Sequence, residues 1–294
     1  MRIYCPKYSL PIVPFGILLF VFCIAETVNT PPLFAQTSAK GDDANLSVDN
    51  IKTAKKRIEA AKKGSSILLD LSELSLKELP PELFELEELG ILDLTSNDLT
   101  ELPPDIKNLT NLAILNLNKN NLTTFPSEIS RLENLKELHL NSNKLTSFPL
   151  EIVELENLEK LDLGENNLTA LPSEIGRLKN LEQLGLHSNK LTSFPLEIVE
   201  LENLKKLHLN GNKLTSLPPE IVELENLERL DLGDNNLTAL PSEIGRLENL
   251  QSLALSNNDL TTLPSEIVKL ENLQILDLNG NKLTSLPPEI VELE

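Results

Sequence analysis

The chain has 294 residues and a formal net charge of −19 at pH 7, from 45 acidic and 26 basic residues. This charge repels phosphate backbones and anionic lipid surfaces, so we expect no nucleic-acid partner. Aromatic residues make up only 3% of the chain, too few for a conventional large core built on aromatic rings. Other side chains must therefore fill the interior.

Residues 1–35 differ from the rest of the chain and are typical of a secretory signal peptide. Arg2 and Lys7 precede an apolar run from Leu10 to Ala25. Cleavage could follow Ala25 or Ala35, and the sequence leaves both sites open. A retained membrane anchor is an alternative, although the run contains prolines and is shorter than the ~20 residues of a membrane-spanning helix. We therefore expect an exported protein, either secreted or at the cell surface, with the periplasm as a further alternative.

Both cysteines, Cys5 and Cys23, lie in this leader. A chain cleaved after Ala35 would contain no cysteine, which excludes disulfides, thiol catalysis and cysteine metal sites. Lipid attachment through Cys23 is another alternative, although bulky Phe22 stands where a small residue is expected.

Two short segments precede the main part of the chain. Residues 36–47, QTSAKGDDANLS, are polar and non-periodic, which predicts a flexible spacer. Ile51, Ala54, Ile58 and Ala61 then recur every three or four residues, which predicts an amphipathic helix over residues 48–64. Because its apolar stripe is narrow, we expect this helix to cover the end of a core rather than bind a membrane surface.

A 23-residue repeat occupies residues 65–294, and ten units fit there without an insertion. Such strict periodicity predicts a solenoid rather than a globule. Leu74 stands in the first unit where each later unit has an asparagine. Those asparagines are Asn97, Asn120, Asn143, Asn166, Asn189, Asn212, Asn235, Asn258 and Asn281.

One unit, LEKLDLGENNLTALPSEIGRLKN over residues 158–180, shows how a repeat would fold. The alternation of Leu161 and Leu163 predicts a short strand with one face inward. Pro172 then stops strand pairing, and a short helical turn would direct Ile175 and Leu178 back inside. Asn166 lies where the strand bends, so its amide could pair with main-chain groups of neighbouring units. Stacked units would then form an asparagine ladder.

The consensus L-x-x-L-x-L-x-x-N-x-L-T-x-L-P-x-E-I-x-x-L-x-N resembles the leucine-rich repeat family, in the 23-residue form common in exported proteins of host-associated bacteria. The resemblance implies an α/β solenoid shaped as a curved horseshoe. A parallel β-sheet would line the concave face, and short helices or turns would line the convex face. Family members typically bind other proteins on the concave face and share no catalytic chemistry. Leu74 departs from the pattern, and Glu294 falls inside the tenth helical turn with no distinct cap.

If the leucines point inward, the intervening strand residues point outward and form a candidate partner-binding face. Ten strands at ~4.8 Å spacing would give a surface ~45 Å across, enough for a protein interface. Its apolar strip could anchor a partner or be covered by the N-terminal helix or the spacer. Its basic residues could meet an acidic partner loop or neutralise the adjacent aspartates. The candidate residues are Leu68, Ile91, Asp93, Ile114, Asn116, Glu137, His139, Lys160, Asp162, Gln183, His187, Lys206, His208, Arg229 and Asp231.

All three histidines fall on this face, and Asp162 and Asp231 are expected one strand away from His139 and His208. A carboxylate beside an imidazole can orient a metal ligand, but no third ligand converges, so we expect no metal site. The sequence also contains no nucleophile–base arrangement and no phosphate-binding loop. We therefore expect no enzyme, no cofactor and no small-molecule substrate. The alternative to a protein-binding scaffold is a structural envelope protein that self-associates through its uncapped C-terminal end.

Overall fold

The computed structural model describes residues 2–4 and 43–292. Residues 5–35 of the predicted signal peptide, and residues 36–42 of the predicted spacer, lie outside the described part of the chain. Strand β1 spans Arg2–Tyr4 and helix α1 spans Asp43–Gly64. The helix thus begins five residues before the predicted boundary at residue 48. Residues 43–47, which the sequence assigned to the spacer, are therefore part of this helix.

Ten further strands follow at intervals of 23 residues, and each is three residues long. They are β2 Leu68–Asp70, β3 Ile91–Asp93, β4 Ile114–Asn116, β5 Glu137–His139, β6 Lys160–Asp162, β7 Gln183–Gly185, β8 Lys206–His208, β9 Arg229–Asp231, β10 Ser252–Ala254 and β11 Ile275–Asp277. Strands β2 to β11 pair with their sequence neighbours in one parallel sheet. Strand β1 pairs in parallel with the outer edge of β11, with Arg2 opposite Ile275.

A five-residue 3₁₀ helix follows each of these ten strands. These helices span Pro81–Glu85, Pro104–Asn108, Ser127–Arg131, Leu150–Glu154, Ser173–Arg177, Leu196–Glu200, Pro219–Glu223, Ser242–Arg246, Ser265–Lys269 and Pro288–Glu292. A proline precedes each of them, with φ between −58° and −78° before the first nine helices. The predicted solenoid, with a parallel sheet on one side and short helices on the other, is confirmed.

The core is a continuous stack of aliphatic side chains that runs the length of the solenoid. The central leucine of each strand and the isoleucine of each 3₁₀ helix after the first point inward, as Leu161 and Ile175 do with at most 1% exposure, and Leu83 takes the same position in the first helix. Helix α1 packs Ala54 and Ile58 against the first repeat. Leucine thus supplies the interior that the scarce aromatic residues cannot fill.

The chain leaves each strand through a residue with left-handed backbone geometry, directly before the ladder asparagine or, in the first repeat, before Leu74. Most of these positions carry residues with side chains, such as Ser142 and Glu165, with φ of 58° and 49°. Glycine takes the position at Gly211 and Gly280, where φ is 69° and 71°. Glycine adopts this conformation without steric cost.

Candidate functional site

The outward strand residues form one surface, which we call the sheet face. The strand register sets the first residue of every strand beside the first residue of the next. This first-position row contains Leu68, Ile91, Ile114, Glu137, Lys160, Gln183, Lys206 and Arg229, followed by Ser252 and Ile275. In six of the strands, the second outward position carries a predicted residue: Asp93, Asn116, His139, Asp162, His208 or Asp231. The predicted residues therefore share one surface, and His187 lies just beyond the end of β7.

The N-terminal end of the sheet face is apolar. Leu68 is 52% exposed, and Ile91 and Ile114 beside it are half-buried. Helix α1 contacts the first repeat through its buried residues, and Arg57 donates a hydrogen bond to the carbonyl of Asp70 at 3.0 Å. Although the helix reaches the edge of β2, it leaves Leu68 exposed. This apolar row is therefore open to a partner within the described part of the chain.

Glu137 and Lys160 form an ion pair in the middle of the first-position row. Their side chains lie 2.8 Å apart, and His139 Nε2 lies 3.3 Å from the other Glu137 oxygen. Burial acts to raise the pKa of Glu137, but the hydrogen bonds from Lys160 and His139 outweigh it and lower that pKa. Lys160 thus neutralises Glu137 rather than an aspartate of the neighbouring row.

The aspartates of the sheet face have a structural role of their own. In Asp93, Asp162 and Asp231, one carboxylate oxygen accepts the main-chain N–H two residues further on, at 2.9–3.3 Å. Asn116 accepts the N–H of Asn118 in the same way at 3.1 Å. Such side-chain turns satisfy main-chain donors where the strand ends. Part of this row therefore serves the fold, and only its remaining oxygens are available to a partner.

Two glycines allow a histidine and an aspartate to lean across strands. The ring of His187 occupies the space above Gly164, where a β-carbon would overlap it, and Asp162 Oδ1 would lie 2.5 Å from a β-carbon at Gly185. His187 Nδ1 comes within 4.0 Å of Asp162, and its Nε2 lies 2.9 Å from Asn141 Nδ2. Asp162 lies opposite His139 in the strand register, as the sequence predicts. Its side chain nevertheless contacts His187, because the glycines leave room for that ring.

His208 and Asp231 lie opposite each other on β8 and β9, as expected, and both are half-buried. Burial lowers the pKa of His208 to about 4, and the positive charges of Arg229 and Lys206 act in the same direction. Burial also raises the pKa of Asp231, against the hydrogen bond from Gly233 and the charge of Arg229. His208 is therefore neutral at pH 7.

The sheet face carries no evident metal centre. Within the described residues, no group of three or more His, Cys, Asp or Glu side chains is arranged to hold a metal ion. A tetrahedral zinc site needs at least three converging protein ligands. The histidine contacts described above are thus hydrogen bonds and charge contacts among surface residues.

The ladder asparagines hydrogen-bond each repeat to the one before it. Asn166 Nδ2 donates to the carbonyls of Leu140 and Leu163 at 2.9 and 3.1 Å, and its Oδ1 accepts the N–H of Leu145 at 3.0 Å. Its residue exposure is only 6%. In the first repeat, the N–H of Leu74 instead donates to Asn97, and the Leu74 side chain joins the apolar core.

A second asparagine ladder escaped the sequence analysis. Its side chains each donate to the carbonyl 24 residues earlier, as Asn157 does to Glu133 at 2.8 Å. The signal was present, because an asparagine precedes the leucine that leads into each strand from β4 to β11. These residues are Asn111, Asn134, Asn157, Asn180, Asn203, Asn226, Asn249 and Asn272. These side chains are exposed, so water can compete for the hydrogen bonds with which they link the repeats.

A groove of about 610 Å³ runs beside this second ladder. Asn134, Asn157 and their equivalents line it together with Lys136, Glu159 and Glu182. Lys136 pairs with Glu159 at 2.7 Å, and Lys205 pairs with Glu182 at 2.9 Å. The charged groups of the groove are thus matched across successive repeats, which makes the sheet face the stronger candidate for binding.

These features define a parallel-sheet solenoid whose repeats are joined by buried asparagines. The family model described as "Leucine rich repeat" matches residues 87–145, 133–191 and 202–260, which together make up more than half of the chain. A second model, "Leucine Rich repeats (2 copies)", matches residues 248–289. The chain therefore belongs to the leucine-rich repeat family, whose fold is commonly a non-enzymatic scaffold for binding proteins.

Several solved structures are similar to this chain. A leucine-rich repeat protein of Leptospira interrogans is 47% identical, with a TM-score of 0.72, and the match covers 76% of this chain and 56% of that one. The functional domain of InlJ from Listeria monocytogenes is 25% identical, with a TM-score of 0.69 and coverage of 85% and 54%. The chain thus spans little more than half the length of these two relatives.

A plant receptor ectodomain is a more distant match. GASSHO1/SCHENGEN3 of Arabidopsis thaliana, in complex with CASPARIAN STRIP INTEGRITY FACTOR 2, is 32% identical with a TM-score of 0.54. The match covers 77% of this chain and 34% of the receptor ectodomain. No curated protein sequence matches this chain significantly. Across the residues that the structure describes, no helix has the length and apolar character needed to cross a membrane.

Proposed function

We propose that this chain is an exported protein-binding scaffold that contacts host or cell-surface proteins through its sheet face. One observation carries the proposal. The inward strand positions are uniformly leucine, whereas the outward positions change from apolar to acidic, polar and basic along the sheet. A surface with only a solubilising role would not need exposed Leu68 beside half-buried Ile91.

Export is proposed from the sequence of residues 1–35. The basic start, the apolar run and the small residues at Ala25 and Ala35 support removal of a leader. Fractionation of the producing cell, followed by N-terminal sequencing of the released protein, tests this directly. A mature chain that begins after either alanine supports export, whereas a chain that keeps residue 1 and stays inside the cell contradicts it.

Binding through the sheet face can be tested with an array of extracellular protein domains probed with the labelled full chain. The variant I91D/I114D places charge on the apolar row, so we expect it to lose the partners that the wild type binds. The matched control is L150D/L196D, because Leu150 and Leu196 are 52% and 50% exposed but belong to 3₁₀ helices. Binding that survives I91D/I114D, or that is lost only in L150D/L196D, would exclude the sheet face.

A second candidate function is self-association through the C-terminal edge of the sheet. The observation that favours it is the pairing of β1 with β11, because it shows an extended segment hydrogen-bonded along that edge. Removal of the proposed leader would also remove β1 and free the edge for another strand. Light scattering of the released protein over a range of concentrations tests this, and a constant monomer mass would exclude it.

A further inference from the structure

Two basic residues stand side by side on the sheet face. Lys206 and Arg229 occupy the first positions of β8 and β9 and lie opposite each other in the strand register. Both are exposed, and neither forms an ion pair among the residues that the structure describes. Lys160, in the same row, is instead paired with Glu137 at 2.8 Å.

The two cations stand on a chain whose net charge is −19. Like charges directly opposite each other on neighbouring strands destabilise a sheet. Some other basic residues meet carboxylates of an adjacent repeat, as Lys205 does with Glu182 and Arg177 does with Glu154.

The immediate surroundings compensate the two positive charges in part, through the electrostatic interaction of Arg229 with Asp231. Gln183 and Ser252, their neighbours in the first-position row, are both uncharged. His208 is neutral at pH 7 because burial and the two cations lower its pKa to about 4. Asp231 is half-buried and already accepts the N–H of Gly233 at 3.3 Å, so one of its oxygens is occupied.

We propose that Lys206 and Arg229 form a carboxylate-binding subsite for an acidic side chain of the protein partner. A guanidinium beside an ammonium group offers several donors to one carboxylate, and the exposed row lets the partner approach. This inference rests on the proposed function, because it assigns partner chemistry to the same face.

The subsite also sets a distance requirement on the partner. Five strand spacings of about 4.8 Å separate Ile91 on β3 from Lys206 on β8, which gives about 24 Å. The partner would therefore carry an apolar group and an acidic group about that far apart. A polyanion such as nucleic acid is disfavoured, because the net charge of the whole chain repels it at long range.

The experiment uses a displayed library of random peptides about 12 residues long, which span about 40 Å when extended. Selection on the immobilised full chain is expected to enrich peptides that combine Asp or Glu with apolar residues. A synthesised peptide from that pool should bind K206Q/R229Q about tenfold more weakly than wild type, and its affinity should fall with added salt.

The matched control is K136Q/K205Q, which removes the same charge from residues outside the sheet face. It should bind the peptide within about twofold of wild type, since only long-range attraction changes. Unchanged thermal melting of both variants would show that the fold is intact. Equal weakening in the control, or unchanged binding in K206Q/R229Q, would overturn the subsite.

The remaining outcomes separate this inference from the proposed function. If enriched peptides lack acidic residues but depend on Ile91 and Ile114, the subsite fails and the sheet face stands. If no enriched peptide depends on any sheet-face residue, both fail. If K206Q/R229Q abolishes a concentration-dependent dimer seen by light scattering, the occupant is a second copy of the chain and the proposed partner is wrong.

Discussion

The imidazole ring of His187 lies over Gly164 on the neighbouring strand, in the space that a side chain at position 164 would fill. With the Asn141 amide in its present orientation, His187 Nε2 accepts a hydrogen bond at 2.9 Å, so Nδ1 carries the proton and faces Asp162. The position of the His187 ring therefore depends on Gly164, although Gly164 makes no polar contact with it.

Gly164→Ala should displace the His187 ring, because the new β-carbon would overlap it. We expect the hydrogen bond to Asn141 to be lost and stability to fall by about 1 kcal/mol. Imidazole nitrogen chemical shifts measured by NMR would report the change from a single Nδ1-protonated tautomer to a mixture.

Gly233→Ala is the control, because Gly233 holds the equivalent position in a near-identical repeat and faces Ser256. A β-carbon there would lie 3.0 Å from Ser256 Oγ, a contact that a small rotation relieves. The His187 signals should not move in this variant. Unchanged signals in Gly164→Ala would show that the ring position does not depend on the glycine.

Asn166→Ala should destabilise the protein by about 1–3 kcal/mol, because it leaves the buried N–H of Leu145 without a partner and removes one of the two amide donors of the Leu140 carbonyl. Asn157→Ala removes a bond from the exposed second ladder, where water can replace it, so the loss should be below about 1 kcal/mol. Chemical denaturation of both variants measures the difference. Equal losses would argue that burial does not distinguish the two ladders.

His208 should make stability depend on pH. Its pKa is about 4 in the folded state, below the ordinary value of 6.5, so the unfolded chain binds more protons between these values. The contribution of neutral His208 to the free energy of unfolding is fully present above about pH 6.5 and is lost as the pH falls from there towards about 4. Between about pH 7 and pH 5 the loss should reach up to about 2 kcal/mol.

The variant His208→Gln removes this titration and should show a shallower decline in stability over the same range. Thermal melting at a series of pH values compares the two chains. The raised pKa of Asp231 has the opposite effect, because at this group the folded chain binds more protons than the unfolded chain as the pH falls. This effect occurs at pH values nearer the ordinary pKa of a carboxyl group. Parallel curves for wild type and His208→Gln would contradict the buried, neutral state of His208.

Lys206→Gln should leave stability unchanged or raise it by a few tenths of a kcal/mol, because it relieves repulsion from Arg229. Lys160→Gln should instead lower stability by about 0.5–1 kcal/mol, since it removes the ion-pair partner of half-buried Glu137. Thermal melting of the two variants in low and high salt tests these predictions. High salt should reduce the difference in stability between the variants. A larger loss in Lys206→Gln than in Lys160→Gln would show that Lys206 stabilises the fold.

The fold followed from the sequence because each repeat has the same packing requirement. Inward positions such as Leu161 and Ile175 recur every 23 residues, and this spacing alone predicts the strand, the turn and the stack. The sequence predicted the start of α1 at residue 48, five residues after its observed start. Residues 43–47 carry no apolar periodicity, yet they are helical because they extend a helix that the core already holds.

The contacts on the sheet face were decided only by the tertiary structure. The sequence assigned His139 and Lys160 to this face but could not show that both contact Glu137. Whether a charge is paired depends on side chains 23 or 46 residues away and on the space that glycines leave between strands. Periodicity fixes which residues point inward, whereas the partners of outward residues depend on the unrepeated side chains of neighbouring strands.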